Sequence, residues 1–289
     1  MTLALPLLEP ELLRIVDTAL QEDLAMGDVT TDSLIDPEWQ AEGSFVVKET
    51  GVLAGMPVAQ AVFRRVDPAI QFTPKIADGH RIQPGDVIGL VGGPANPILK
   101  AERVALNFMQ RLSGVATMTR RMVDAVGEFP VRITETRKTT PGLRSLEKYA
   151  VRVGGGHNHR QNLADGVLIK DNHLEALAAA GYGLPEAVRR ARARASHMVQ
   201  IEIEITSLDQ IEDALDAGPD WILLDNMPPD LMREAVRRVA GRAKIEASGG
   251  ITLQSVRAVA ESGVDLISSG ALTHSYKALD ISLELRYRA

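Results

Sequence analysis

Residues 136–173 carry seven cations, Arg137, Lys138, Arg144, Lys148, Arg152, Arg160 and Lys170, against three acids, Glu147, Asp165 and Asp171. The chain as a whole has net charge −6, so the surplus is a local device, and single-sign clusters of this kind concentrate anions. The cations stand beside turn-forming glycines and at the ends of apolar runs, where a packed fold gains nothing from repeated like charge. Arginine offers a planar fork for a carboxylate and lysine a point charge. Arg137, Lys138, Arg160 and Lys170, with His159, come from three segments and suit a ligand with several negative groups. The competing use of these cations is internal pairing with Glu202, Glu204 and Asp225.

Later in the chain, Ser248-Gly249-Gly250 and Ser269-Gly270-Ala271 each follow a short apolar run. Backbone N–H groups in such loops, with a helix amino end, meet phosphates. His274 follows closely, as a further donor or a cap. Glu204 and Asp225 close two neighbouring apolar runs. They could form a general acid/base pair, a magnesium site or a pair of hydroxyl acceptors; beside a phosphate site, ribose hydroxyls or a phosphate-bound magnesium ion is the simplest use. The histidines do not form His-x-x-x-His, and no serine sits in Gly-x-Ser-x-Gly, so zinc hydrolysis and acyl transfer fit poorly.

These residues need a frame. After Pro130, apolar runs at 131–135, 166–169, 199–205, 221–224, 244–247 and 264–267 alternate with helical patterns at 184–195, 208–217, 229–239 and 253–262. Alternating β and α units predict a parallel barrel or a doubly wound sheet. No Gly-x-Gly-x-x-Gly opens a helix after the first strand, which disfavours a dinucleotide fold. Polar residues cluster at the carboxyl ends of successive runs, where barrel enzymes keep their chemistry. Six runs predict an incomplete barrel.

The preceding part reads as α+β: an amphipathic helix over 9–24, strands over 41–48, 51–54, 70–73 and 87–91, a helix over 57–66 and a break over 92–97. Around Glu22-Asp23 and Gly27-Asp28-Val29-Thr30-Thr31, an exposed acidic turn capped by Thr31 or Asp32 competes with an interface role. A long helix over 99–126 has the apolar ridge Val104, Phe108 and Leu112. Its polar stripe, Arg103, Asn107, Gln110, Gly114 and Thr117, lacks the Glu/Lys mixture of a solvated face, and places Arg103 toward a site. Arg189, Arg190, Arg192 and Arg194 fall all round one helix and read as its solvated surface. The expected domains are an amino-terminal α+β sandwich over 1–114, with 275–289 returning to it, and a catalytic incomplete α/β barrel over 115–274.

At 289 residues the chain can bury a large core. Its acidity argues against nucleic-acid or membrane-surface partners. The absence of cysteine excludes disulfides, thiolate metal sites and cysteine nucleophiles, and fits a cytoplasmic protein. The first eight residues lack the basic start and apolar length of a signal peptide, and no apolar window is long enough to span a bilayer.

Taken in order, the motifs resemble the quinolinate phosphoribosyltransferase family (carboxylating nicotinate-nucleotide pyrophosphorylases). They are Glu22-Asp23, Gly27-Asp28, Glu102-Arg103 through Gln110-Arg111-Leu112-Ser113-Gly114-Val115-Ala116-Thr117, and Thr-Arg-Lys-Thr-Thr-Pro-Gly from Thr136. Gly-Gly-Gly-His-Asn-His-Arg from Gly154, Leu-Ile-Lys-Asp-Asn-His from Leu168 and the Glu202/Glu204 strand follow. Leu224-Asp225-Asn226, Glu-Ala-Ser-Gly-Gly from Glu246 and Gly-Ala-Leu-Thr-His from Gly270 complete the set. Ser269 stands where the family commonly has an apolar residue.

The resemblance implies an open sandwich followed by an incomplete barrel, in a homodimer or higher oligomer whose barrels borrow residues from the partner. It implies that quinolinate and phosphoribosyl pyrophosphate, with Mg2+ and no organic cofactor, give nicotinate mononucleotide, pyrophosphate and carbon dioxide in NAD biosynthesis. Carried over residue by residue, Arg137, His159, Arg160 and Lys170 hold the two carboxylates, with Thr136 nearby and Arg103 arriving from the other subunit. Lys138 serves the substrate or the pyrophosphate, Glu204 and Asp225 the ribose hydroxyls. The loops of Ser248, Gly249 and Gly250 and of Ser269, Gly270 and Ala271, with His274, take the 5′-phosphate. Lys138, Lys170, Glu204 and Asp225 form the catalytic set. The rivals are a paralogous phosphoribosyltransferase for another heteroaromatic acid and a non-catalytic sensor of a phosphoribosyl ligand.

Overall fold

The computed structural model describes residues 8–288; the amino-terminal run weighed as a signal peptide lies, apart from Leu8, outside them. The chain forms two compact units. The first holds residues up to Arg120, Thr139–Gly155 and the residues from Ser275; the second holds Arg121–Lys138 and Gly156–His274. The sequence predicts 115–120 and 139–155 in the barrel, whereas both segments lie in the first unit.

In chain order the first unit opens with helices α1 (Glu9–Leu24) and α2 (Val29–Leu34), strands β1 (Gln40–Val47) and β2 (Gly51–Val52), and helix α3 (Met56–Val66). Strands β3 (Gln71–Pro74), β4 (Arg81–Ile82) and β5 (Val87–Pro94) follow, then helix α4 (Ala95–Val126). The cap of α2 is Asp28, whose carboxylate accepts the Thr31 N–H at 2.9 Å, and not Thr31 or Asp32. The expected break over 92–97 is absent: β5 runs to Pro94 and α4 starts at Ala95. Phe45, Phe63 and Phe72 meet with ring centroids 5.6 to 5.9 Å apart, so one face of β1 and β3 is sealed by α3.

Most of the polar stripe on α4 serves packing within this unit. Ser113 Oγ exchanges hydrogen bonds with the Ala54 backbone, Thr117 Oγ1 accepts the Val52 N–H at 2.8 Å, and Gln110 Nε2 donates to Ile281 O at 2.7 Å. Gly114 lets the 276–278 backbone lie directly against the helix. Arg103 and Asn107 remain exposed.

The next strand is β6 (Arg132–Thr134), followed by helix α5 (Arg144–Val153), which lies in the first unit. Strand β7 (Val167–Ile169) leads to helices α6 (Asp171–Ala178) and α7 (Leu184–Arg194), and strand β8 (Ile201–Ile205) to α8 (Ile211–Ala217). Strand β9 (Trp221–Asp225) precedes α9 (Pro229–Val239), and β10 (Lys244–Ser248) precedes α10 (Val256–Ala260). Strand β11 (Leu266–Ser268) and helix α11 (Ala271–His274) end this unit, and β12 (Ile281–Arg288) pairs antiparallel with β1. The first unit's main sheet has the order β12-β1-β5-β3.

The second unit's sheet is parallel, in the order β6-β11-β10-β9-β8-β7, and its end strands do not pair with each other, so no closed barrel forms. Strands β8 to β11 alternate. Ile201, Ile203, Ile205, Ile222, Leu224, Ile245, Ala247 and Ile267 are buried on the face that helices cover. The other face carries Glu202, Glu204, Asp225, Glu246, Ser248 and Ser268. A sheet buried only for packing would be apolar on both faces; one face here is reserved for chemistry.

Candidate active site

Strand register brings the polar face together. Leu223 lies level with both Glu204 and Glu246, Asp225 with Ser248, and Ser268 with Thr134. Beside β6, His157 adds an isolated parallel bridge to Thr134, its N–H donating to Ile133 O at 2.8 Å. The segment His157–Arg160 therefore follows the free edge of β6. Its far end reaches the start of β7, where Arg160 Nη1 donates to Gly166 O at 3.0 Å. A cavity of about 340 Å3 there is lined by His159, Arg160, Glu202 and Glu246, and extends to Gln200 and Trp221 at the amino ends of β8 and β9.

Charges crowd this recess. Burial, then the neighbouring Arg137 guanidinium, lowers the pKa of Arg160, and Glu202 and Glu246 only partly offset this. Burial, then the charge of Glu246, raises Glu202 well above the usual carboxylate range, against the fields of Arg160 and Lys170. Arg160 Nε and Glu202 Oε1 are buried without a hydrogen-bond partner. Two adjacent guanidinium groups, one with an unsatisfied donor, form a receptor for an anion.

His159 is held at both ring nitrogens. Its Nδ1 accepts the Arg160 N–H at 2.7 Å, so the ring proton sits on Nε2, which lies 3.1 Å from Glu246 Oε2 and 3.8 Å from Glu202 Oε2. Its own N–H donates to Glu135 Oε1 at 3.0 Å. Both ring nitrogens thus face the protein. His159, Glu202 and Glu246 offer atoms within 4.8 Å of one another, but a protonated Nε2 has no lone pair for a metal ion.

At the carboxyl ends, Lys170 Nζ pairs with Glu204 Oε2, and His173 Nδ1 accepts the Lys170 N–H at 2.9 Å where α6 begins. Asp225 Oδ2 accepts from Asn226 Nδ2 at 2.7 Å, and the Asn226 N–H donates to Ser248 O at 2.9 Å. Gly249 has φ +89°, and a Cβ there would fall 2.3 Å from Asn226 Oδ1; only glycine fits. Ser269 Oγ donates to Ile251 O at 2.8 Å, so its hydroxyl joins the two glycine loops and leaves backbone to face a ligand. Gly270 lies against His274 and Lys138, and the Lys138 carbonyl accepts from Thr273 Oγ1 at 2.8 Å. Thr136 Oγ1 accepts the Lys138 N–H at 3.0 Å.

The cationic stretch itself divides. Arg144, Lys148 and Arg152 are on α5 in the first unit, where Arg103 also lies; Arg137, Lys138, Arg160 and Lys170 are in the second. Internal pairing is realised at Lys170. Glu246, Ser268 and Glu135 join this cluster although the charge excess does not mark them. The period of two that puts Glu202 and Glu204 on one face also puts Glu246 on the face of Ser248, so that signal was present; nothing local marks Glu135. The four arginines of α7 remain on its surface, with Arg189 and Arg190 on Glu186 and Arg192 on Asp220.

Residues 28–113 match the family model for the quinolinate phosphoribosyl transferase N-terminal domain, and residues 115–284 the one for its C-terminal domain. The chain belongs to the quinolinate phosphoribosyltransferase family. It is 45% identical over 275 residues to a probable carboxylating nicotinate-nucleotide pyrophosphorylase of Bacillus subtilis (strain 168), covering 95% of this chain and 93% of the other. A chloroplastic carboxylating nicotinate-nucleotide pyrophosphorylase of Oryza sativa subsp. japonica is 42% identical over 294 residues, 95% of this chain and 78% of the relative. The crystal structure of NadC from Streptococcus pyogenes superposes with a TM-score of 0.93 at 41% identity, covering 99% of this chain and all (100%) of that one. The incomplete parallel barrel and antiparallel amino-terminal sheet of this family are therefore the architecture of this chain.

Proposed function

We infer that the chain is a quinolinate phosphoribosyltransferase, joining quinolinate to phosphoribosyl pyrophosphate with loss of carbon dioxide in NAD biosynthesis. The observation that carries this is a family match spanning both units, on a chain whose second unit sets two guanidinium groups and a lysine beside ribose-competent carboxylates. In the proposed assignment, Arg137, Arg160 and Lys170 take the two carboxylates of quinolinate, with Thr136 nearby and His159 holding the Arg160 backbone. Lys170 would exchange Glu204 for a substrate carboxylate, releasing Glu204 to join Asp225 on the ribose hydroxyls. The Ser248–Gly250 and Ser269–Ala271 backbones, with His274, receive the 5′-phosphate, and Lys138 the departing pyrophosphate.

The chemistry asks little acid or base from the protein. Departure of pyrophosphate leaves an oxocarbenium-like sugar, which Glu204 and Asp225 stabilise while the pyridine nitrogen attacks. The alkylated ring then accepts the electron pair of the leaving 2-carboxylate, and C2 takes up a proton. Positioning and fixed charge supply the acceleration. Magnesium fits the donor set: one or both of Glu204 and Asp225, with pyrophosphate oxygens in the remaining positions, would hold an ion that neutralises leaving-group charge.

The proposal extends to a cytoplasmic homodimer in which Arg103 of the partner subunit completes the pocket. Arg103 is exposed on α4, and no helix among the described residues is long and apolar enough to cross a membrane. Purified protein with magnesium, phosphoribosyl pyrophosphate and either quinolinate or nicotinate tests the reaction. Mononucleotide from quinolinate alone is expected. Product from nicotinate, or phosphoribosyl pyrophosphate binding without product from quinolinate, would overturn it.

A further inference from the structure

We propose that Glu246 is a positioning residue that, fastened by Ser268, fixes His159 in its Nε2–H form and so clamps the His159–Arg160 peptide beside the substrate pocket. The hydrogen bonds run in one sense only. The Arg160 N–H can donate but not accept, so the Nδ1 it meets at 2.7 Å bears a lone pair. Nε2 then carries the proton and gives it to Glu246 Oε2 at 3.1 Å. Glu246 is 1% exposed, and its other oxygen accepts from Ser268 Oγ at 2.5 Å. A buried carboxylate with both oxygens engaged has a single stable rotamer, and holding one ring nitrogen selects the tautomer of the other.

The consequence falls on Arg160. Its backbone N–H is tied to the ring of the preceding residue, while its Nη1 is tied to Gly166 O. With both ends held, the unsatisfied Nε is presented in one direction. Glu246 acts on the anion through His159 and Arg160. This step rests on the proposed quinolinate reaction only for its kinetic consequence; the tautomer can be read without any substrate.

The test is two-bond 1H–15N correlation on protein labelled with 15N-histidine, with the His159 signals identified by their loss in His159→Gln. The substrate-free protein is expected to show a protonated Nε2 and an unprotonated Nδ1. Glu246→Gln, whose carboxamide oxygen still accepts, keeps that form. Glu246→Leu loses it, and raises KM for quinolinate roughly tenfold, the scale of a misplaced hydrogen-bonded contact, while KM for phosphoribosyl pyrophosphate stays the same. A protonated Nδ1 in the unsubstituted protein, or an unchanged tautomer in Glu246→Leu, would overturn the proposal. So would tautomer loss with an unaltered quinolinate KM. If Glu246→Leu does not fold, Ser268→Ala, which removes the donor that fastens Glu246, takes its place: a weakened Nε2–H form with a raised quinolinate KM supports the proposal, and an unchanged tautomer and KM overturn it. If quinolinate is no substrate at all, the reaction falls while the spectra judge the tautomer separately.

Discussion

Arg160 keeps its charge against both burial and the nearby Arg137 guanidinium, an arrangement that a dianion between them would relieve. Arg137→Ala and Lys170→Ala are each expected to fold normally but to lose quinolinate binding, by about 2–5 kcal/mol at Arg137, the scale for breaking a buried charge pair, and by about 1 kcal/mol at the more exposed Lys170. Calorimetric titration checks the loss, and full quinolinate turnover in both variants would contradict the assignment. Glu202 gives a pH signature. Its folded-state pKa is raised, first by burial and then by Glu246, so the folded state holds this proton more tightly than the unfolded chain. Its contribution to stability is fully present below the unfolded value of about 4.3 and is lost as pH rises through the folded value. Glu202→Gln should therefore gain in Tm relative to the parent as pH rises from 4 to 8. A Tm difference independent of pH would remove Glu202 as the source. At this scale the sequence was informative about residue types and silent about their directions. Charge excess alone marks Arg137 and Arg160, but only the fold shows that the neighbouring ring of His159 faces inward.

Among the elements, α4 shows how a correct pattern can carry a different cause. Its polar stripe lacks the charges of a solvated face because Gln110, Ser113 and Thr117 bond to backbone within the first unit, and only Arg103 and Asn107 are left exposed. Gly114 sits where a Cβ would fall 2.4 Å from Lys277 O and 3.0 Å from Ala278 Cα. Backbone cannot yield as a side chain can, so Gly114→Ala should destabilise by about 1–3 kcal/mol despite its better helix propensity. Denaturant unfolding measures this, and an unchanged midpoint would mean that the 276–278 segment packs elsewhere. The strands of the second unit are legible because each is a short apolar run closed by polar residues. The Gly92–Pro97 run misled because Gly92 and Gly93 are accommodated inside β5 and Pro97 falls in the first turn of α4, where its missing N–H costs nothing. Segment 139–155 was beyond reach, since no periodicity says which unit a loop and its helix join.

For the molecule as a whole, a net charge of −6 discourages adventitious anions, so the adjacent guanidinium groups of Arg137 and Arg160 are a local exception to it. If Arg103 of the partner subunit completes each pocket, mixing Arg103→Ala with Lys170→Ala and allowing exchange should restore about a quarter of parental activity. Half of the dimers would then be hybrids holding one intact site of two. No recovery on mixing would place Arg103 in its own subunit's site, and an Arg103→Ala variant with full activity before mixing would place it outside the site. In the proposed reaction the cations hold quinolinate so that only its 2-carboxylate leaves after the ring nitrogen is alkylated. The most direct measurement follows carbon dioxide and mononucleotide together, using quinolinate labelled at either the 2- or the 3-carboxylate. One labelled carbon dioxide per mononucleotide is expected from the 2-labelled acid, and full retention from the 3-labelled one. Label released from the 3-position, or carbon dioxide formed without mononucleotide, would contradict it.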